Sequence, residues 1–245
     1  MRKFPVFTTC FLLFFTIMSI AYGAATPASP GTDVKAIEQD LKNTFPQFKS
    51  DGFRKTPITG IYEIDAGSQI FYFSPQGYLF FGEFYSKDGV NITAQRRSRL
   101  MAARVKDLPL GDAIKIGSGK KTVIEFADPV CPFCRRAYEH LAKRKDITLY
   151  VFLFPLAQIH PQAIAMSRYI LCSPDPAKAF GQAMAGELDG RNLDVTAGCG
   201  KENVLTADIA AGKKAGVMGT PAFFINGRFV SGANLPLIDK LLATK

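Results

Sequence analysis

The chain has little with which to hold a metal ion: its 245 residues contain two histidines, His140 and His160, and five cysteines of which one pair is closely spaced. A structural zinc site draws four ligands from clustered pairs, and no second pair with suitable spacing accompanies Cys131 and Cys134. No metal or organic cofactor is expected. There is no internal repeat, which argues against a solenoid or propeller. Apolar residues make up 47% and charged residues 21%, so disorder is not the organising theme. The formal charge of +9 is moderate, and its dense runs, Arg96-Arg97-Ser98-Arg99 and Lys143-Arg144-Lys145, read as solvated helix faces rather than as a nucleic-acid surface. Gly117-Ser118-Gly119-Lys120-Lys121-Thr122 has the composition of a phosphate loop but not its spacing, and a strand follows it; it reads as a turn.

Met1-Arg2-Lys3 precedes an almost uncharged run ending in Ala21-Tyr22-Gly23-Ala24-Ala25, the pattern of a secretory signal peptide over residues 1–23. An uncleaved anchor is the alternative, since the run could just span a bilayer; the small residues at its end favour cleavage. Cys10 falls inside the run and lacks the context of a lipoprotein site. A periplasmic location would place Cys131, Cys134, Cys172 and Cys199 where disulfides persist. The close pair reads as a redox centre and Cys172 with Cys199 as a structural bridge, the alternative being two buried free thiols. Such a bridge would stabilise the fold by roughly 3–4 kcal/mol in the chain-entropy view.

Val34, Ile37, Leu41 and Phe45 fall at helical spacing before Pro46, predicting a short amphipathic helix. Residues 58–64, 69–73 and 78–85 are rich in aromatic and β-branched side chains and are separated by turn signals, which predicts an antiparallel meander. A basic segment from Thr93 to Lys106, stopping near Pro109, reads as a linker helix. Beyond it the pattern becomes strand, helix, strand: residues 113–116, 122–127, a helix from Pro132 to about Lys143, then 147–154, with parallel pairing across the helix. Helical segments follow at 161–171, 176–185 and 205–215. A hairpin turned at Asn226-Gly227 and a helix after Pro236 close the chain. The divisions are residues 24–92 for an amino-terminal domain, 93–108 for the linker helix and 109–245 for a catalytic domain.

The chemistry centres on Cys131-Pro132-Phe133-Cys134. A C-x-x-C that follows a strand and opens a helix reads as a thioredoxin-like redox site, because helix amides aimed at the first sulfur favour its thiolate. Cys131 is then the attacking thiol and Cys134, one turn inside, the resolving one. Phe133 supplies no charge; a histidine there could pair with the thiolate and make the disulfide more oxidising. Glu125 lies on the preceding strand between Ile124 and Phe126 and is read as a buried proton acceptor for Cys134, the alternative being an edge-strand acid facing solvent. In Gly219-Thr220-Pro221 a cis proline would expose the Thr220 backbone to a substrate strand beside Cys131. His160 reads as a helix-start residue, and Arg135 and Arg136 as solvent-reaching groups that could add positive field near the thiolate. Phe71, Phe73, Phe80, Phe84 and Tyr85 could line a holding surface, although aromatics in a meander more often form core or dimer contacts.

The run Ala127-Asp128-Pro129-Val130-Cys131-Pro132-Phe133-Cys134 resembles the DsbG branch of the DsbC/DsbG family of exported bacterial protein-disulfide isomerases. Cys172, the stretch from Lys178-Ala179-Phe180 to Met184-Ala185-Gly186, and Cys199 resemble the DsbC branch with its structural disulfide, and Thr59-Gly60-Ile61-Tyr62-Glu63 is similar to the family's dimerisation domain. The resemblance implies an α+β two-domain protein: a cystatin-like helix-plus-antiparallel-sheet dimerisation domain, a linker helix, and a thioredoxin-like domain with a helical insertion. It also implies a V-shaped homodimer, Thr220 before a cis Pro221, and recycling by a membrane thiol reductase of the DsbD type. Glu125 departs from the family, being similar to the buried acid of thioredoxins and DsbA-like oxidases.

The function expected is thiol-disulfide interchange that isomerises or reduces wrong disulfides in exported proteins. The competing readings are a DsbA-like oxidase, a reductase dedicated to cytochrome c maturation, and a holding chaperone that needs no thiol. Mixed branch features leave open whether the substrates are misbridged proteins or single cysteines oxidised to sulfenic acid.

Overall fold

Two sheets organise the protein, whose structure, a computed structural model, describes residues 33–193 and 199–244. The expected signal peptide, residues 1–23, lies outside the described residues. The first sheet is antiparallel in the order β1 (Gly52–Lys55), β2 (Tyr62–Ala66), β3 (Gln69–Ser74), β4 (Tyr78–Phe80). Helix α1 (Val34–Thr44), capped by the Asp33 carboxylate on the Lys35 amide, lays Ile37 and Leu41 against Tyr62, Ile64 and Phe73. The helical spacing of the sequence is what builds this small core.

The meander departs from the sequence expectation at both ends. The strand expected at 58–64 begins at Tyr62, because the Thr56 hydroxyl binds the carbonyls of Ile58 and Ile61 and closes a turn there. The strand expected at 78–85 stops at Phe80, and Tyr85 makes an isolated bridge to Asn91. Strand β1 was not expected; it is short, and its Arg54 is held by Glu63 and Asp65 of β2. Phe73 is fully buried in the core and lines no surface, whereas Phe80 and Tyr85 are exposed. Phe84 stacks on Tyr72.

Helix α2 (Ile92–Arg104), opened by Asn91 accepting the Ala94 amide, joins the two units. Its Arg96 reaches Glu63 at 3.0 Å on one side. On the other, the Ser98 hydroxyl accepts the Phe229 amide at 2.7 Å and donates to the Phe229 carbonyl at 3.2 Å, satisfying an edge-strand residue.

The second sheet has the order β5-β7-β6-β8-β9, with β5 (Ile114–Ile116), β6 (Lys121–Ala127), β7 (Ile147–Leu153), β8 (Ala222–Ile225) and β9 (Arg228–Ser231). β6 and β7 run parallel, joined through α3 (Pro132–Leu141), and the other pairs are antiparallel. The segment from Gly117 to Lys120 connects β5 to β6: the Gly119 amide donates to the Ile147 carbonyl, and a Cβ on Gly119 would collide with the Asp146–Ile147 backbone. α4 (Ala163–Cys172), α5 (Pro176–Met184) and α6 (Glu202–Ala215) form the helical layer, and α7 (Leu235–Ala243) covers the sheet with Ile238 and Leu242. The end of α4 is tied to the segment before α6 by the Cys172–Cys199 disulfide, Cα atoms 5.6 Å apart across 27 residues. Replacing both cysteines by Ala should lower stability by roughly 3 kcal/mol, because the unfolded chain regains loop freedom. Urea unfolding checks this; an unchanged midpoint would show that the packing of α4, α5 and α6 suffices alone.

Candidate active site

Three segments converge on the redox pair: the end of β6, the start of α3 and the loop into β8. β6 is a central strand, with Glu125 opposite Val151 of β7 and Phe223 of β8. Glu125 is therefore fully buried rather than an edge acid, and both its oxygens lack a hydrogen-bond partner among the described residues. Burial, with repulsion from Cys131 second, pushes its carboxyl up to about 8.

Cys131 occupies the cap position of α3 and Pro132 the first helical position, where a missing amide hydrogen costs nothing. Both sulfurs are free thiols; Cys131 is 4% exposed and Cys134 lies wholly beneath it. The Cys131 thiol donates to the Thr220 carbonyl at 3.5 Å, and the Thr220–Pro221 bond is cis. The nearby Cys134 thiol first, then the Cys134 amide, the Thr220 hydroxyl and the Phe133 amide, favour the thiolate, and together they outweigh burial and pull Cys131 down to about 5. The Thr220 hydroxyl is buried and has no hydrogen-bond partner among the described residues. Burial raises Cys134 well above the ordinary thiol range, its bond to Cys131 and the charge of Glu125 adding to the effect. One thiol is thus ready to attack and its neighbour holds its proton, with an acid of similar tendency beneath them.

The structure brings Cys131, Cys134, Glu125, Thr220 and Pro221 together. Cys172 and Cys199 bond to each other between α4 and α6. Arg135 does not run free to solvent: it forms a two-pronged bond to Asp189 at 2.7 and 2.6 Å. His140 pairs with Asp239 in the last turn of α3. His160 precedes α4 but does more than start it, since its Nδ1 lies 2.9 Å from Asp128, a buried carboxylate that sequence reasoning passed over. The available signal was an acid three residues before Cys131 in an otherwise apolar turn.

A buried dithiol at a helix start, set beside a cis-proline loop on a β6–α3–β7 unit, defines a thiol-disulfide oxidoreductase of the thioredoxin fold. Residues 113–238 match the family model described as a thioredoxin-like domain, and residues 25–94 match that of the disulfide bond isomerase protein N-terminal domain. The chain is 29% identical over 211 residues to a probable thiol:disulfide interchange protein DsbC of Bordetella pertussis, covering 84% of this chain and 72% of that protein. It is 26% identical over 232 residues to the thiol:disulfide interchange protein DsbC of Escherichia coli K12, covering 91% of each. A disulfide interchange protein of Neisseria gonorrhoeae, known as a crystal structure, is 34% identical over 55% of this chain and 96% of its own, with a TM-score of 0.47. The chain belongs to the thioredoxin-like family and, through its amino-terminal domain, to the DsbC/DsbG group of thiol:disulfide interchange proteins.

Titrating the reduced protein at 240 nm should reveal a thiolate step at about 5 that Cys131→Ser abolishes; a midpoint in the ordinary thiol range would contradict the geometry. Glu125 gives a prediction of opposite sign. Its folded value exceeds the unfolded one, so the folded state binds the extra proton and stability falls as pH rises from 4.5 to about 8. In the disulfide form, the stability gained by Glu125→Gln over wild type should grow across that interval to the order of a few kcal/mol and then level off. A difference independent of pH would show that the carboxyl is not held protonated.

Proposed function

We propose that the protein is an exported thiol:disulfide interchange enzyme that isomerises or reduces wrong disulfides in substrate proteins. The observation that carries this reading is a groove between the two units, largely apolar but also lined by Glu83 and Arg97, that reaches the loop before Thr220. Ile70, Phe71 and Phe81 of the first unit, Met101 of α2, and Met218 and Phe229 of the second line a cavity of about 520 Å³ that reaches Gly219, next to Thr220. Phe81 and Met218 are 70% and 77% exposed. A plain dithiol reductant needs no such surface; an enzyme that reshuffles bridges must hold a partly unfolded chain meanwhile.

In this reading Cys131 attacks a substrate disulfide, forming a mixed disulfide and releasing one substrate thiolate. Either another substrate thiolate attacks the substrate sulfur of the mixed disulfide, forming a new substrate bridge and expelling Cys131 as its thiolate, which is isomerisation, or Cys134 attacks the Cys131 sulfur and the substrate leaves reduced. Cys134 must lose its proton in the second branch, and Glu125, once it has given up its own proton, accepts it. The Thr220 backbone supports a substrate strand beside the sulfur. The oxidised pair is returned to the dithiol by a membrane reductase of the DsbD type, and the amino-terminal unit pairs two copies as a homodimer in the periplasm.

One observation favours a second reading, a DsbA-like oxidase. A thiolate as stable as that of Cys131 favours the reduced form and so makes the disulfide more oxidising. A potential near the DsbA value of about −120 mV would support it. The two readings separate in a glutathione buffer with a scrambled, fully oxidised multi-disulfide protein. The expected result is recovery of substrate activity that is lost in Cys131→Ser and slowed several-fold in Phe81→Glu, with small-disulfide reduction by Phe81→Glu unchanged. No recovery, alongside rapid oxidation of a reduced substrate, would select the oxidase. Single-turnover release from Cys131 should also slow in Glu125→Gln, and an unchanged rate would remove Glu125 from the mechanism.

A further inference from the structure

Three residues before Cys131 stands a carboxylate that thiol exchange does not use. Asp128 is 0% exposed. Among the described residues it makes no close ion pair with a lysine or arginine, Arg135 acting on it only at longer range, so hydrogen bonds hold the carboxylate in place. Oδ1 accepts the Val130 amide at 2.8 Å, while Oδ2 accepts the Leu156 amide at 2.8 Å and faces His160 Nδ1 at 2.9 Å. Its own carbonyl accepts the Cys131 amide at 3.2 Å. A single side chain thereby fastens the turn that presents the sulfur to the loop leaving β7.

Closing the turn alone requires one acceptor for the Val130 amide, which an asparagine or serine could supply without a charge. The second oxygen is committed to the β7 exit loop, and among the described residues the histidine is the only side chain that bonds it. With Nδ1 donating, the ring completes three donors on a carboxylate that would otherwise be left with two. The ring is one-fifth exposed, so it shields the pair from solvent while belonging to a loop whose neighbour, Ile159, is open to it. The stake is placement: the Cys131 sulfur and the Thr220 carbonyl are 3.5 Å apart on segments that share no covalent constraint.

We infer that His160 is a positioning residue for thiol exchange: by donating to Asp128 it holds the Asp128–Cys131 turn against the β7 exit loop and so fixes the Cys131 sulfur beside the Thr220 loop. The inference rests on Cys131 being the attacking thiol and is indifferent to whether the enzyme isomerises, reduces or oxidises proteins. Misplacing a reacting atom by a fraction of its bond distance costs one or two orders of magnitude in rate.

The test uses the full chain, reduced, attacking a small aromatic disulfide, together with the equilibrium constant of the Cys131–Cys134 pair against glutathione. His160→Leu fills the ring's space without donating, and His160→Ala is the second non-donor. His160→Gln can still donate its amide to Oδ2. The expected result is a rate about tenfold below wild type in the non-donors, a shifted glutathione equilibrium, and recovery to within about threefold of wild type in His160→Gln. A folded His160→Leu or His160→Ala with wild-type rate and equilibrium would overturn the inference, because a purely structural role lowers stability and moves neither. It also falls if folded His160→Gln is as slow as the non-donors, or if both non-donors fail to fold while Gln folds with wild-type stability. Because the assay involves no protein substrate, failure of the isomerase reading leaves its outcome untouched.

Discussion

The contact on which the site depends is the approach of the first turn of α3 to the Thr220–Pro221 loop. A sulfur that is almost fully buried should resist ionisation, since burial disfavours the charged form. Here the proximity of the Cys134 thiol, of the Cys134 and Phe133 amides and of the Thr220 hydroxyl favours the thiolate and outweighs the burial. The rest of the fold delivers those donors. β6 carries the chain to the start of α3, β8 carries the Thr220 loop beside it, and the strands are adjacent in the sheet. Both ends of the contact are thus fixed by one backbone ladder.

The same burial that would defeat the thiolate is what holds protons on Cys134 and Glu125. Neither has the run of donors that Cys131 receives, so each remains protonated where its free counterpart would be further along in its titration. The asymmetry comes from position along one helix turn and one strand: the cap position collects amides, the interior position does not. The amino-terminal unit contributes surface rather than chemistry. Its Gly67–Ser68 turn is held by Arg104, which donates to the Gly67 carbonyl at 2.6 Å, and Ser68 touches Met218 and Gly216 of the loop before Thr220. Gly216, at φ 85, leaves no room there for a Cβ.

Much of this was legible in the sequence because it is local. Pro132 after Cys131, the parallel strands flanking α3, the Asn226-Gly227 hairpin and the spacing of Val34, Ile37 and Leu41 each reflect a short-range rule. The strand boundary near Thr56 was not legible, since a hydroxyl-capped turn inside an apolar run leaves the hydrophobic pattern intact, and the one near Gly82, at φ 156, lies in an equally apolar run. β1 escaped because its basic residues hide its pairing, and their partners Glu63 and Asp65 sit on the next strand. Asp128 and His160 escaped for a related reason. Each looks ordinary alone, and their meaning arises when the β6 and β7 exits are side by side, a juxtaposition that periodicity does not encode.

The central claim is that Cys131 makes the bond to substrate and Cys134 breaks it. The direct measurement is to incubate Cys134→Ser and Cys131→Ser separately with a disulfide-containing unfolded protein, quench in acid and resolve the products by non-reducing electrophoresis and mass spectrometry. The account predicts a stable mixed disulfide through Cys131 in Cys134→Ser and none in Cys131→Ser. Adducts through Cys134 in Cys131→Ser at a comparable rate, or none in Cys134→Ser, would contradict it.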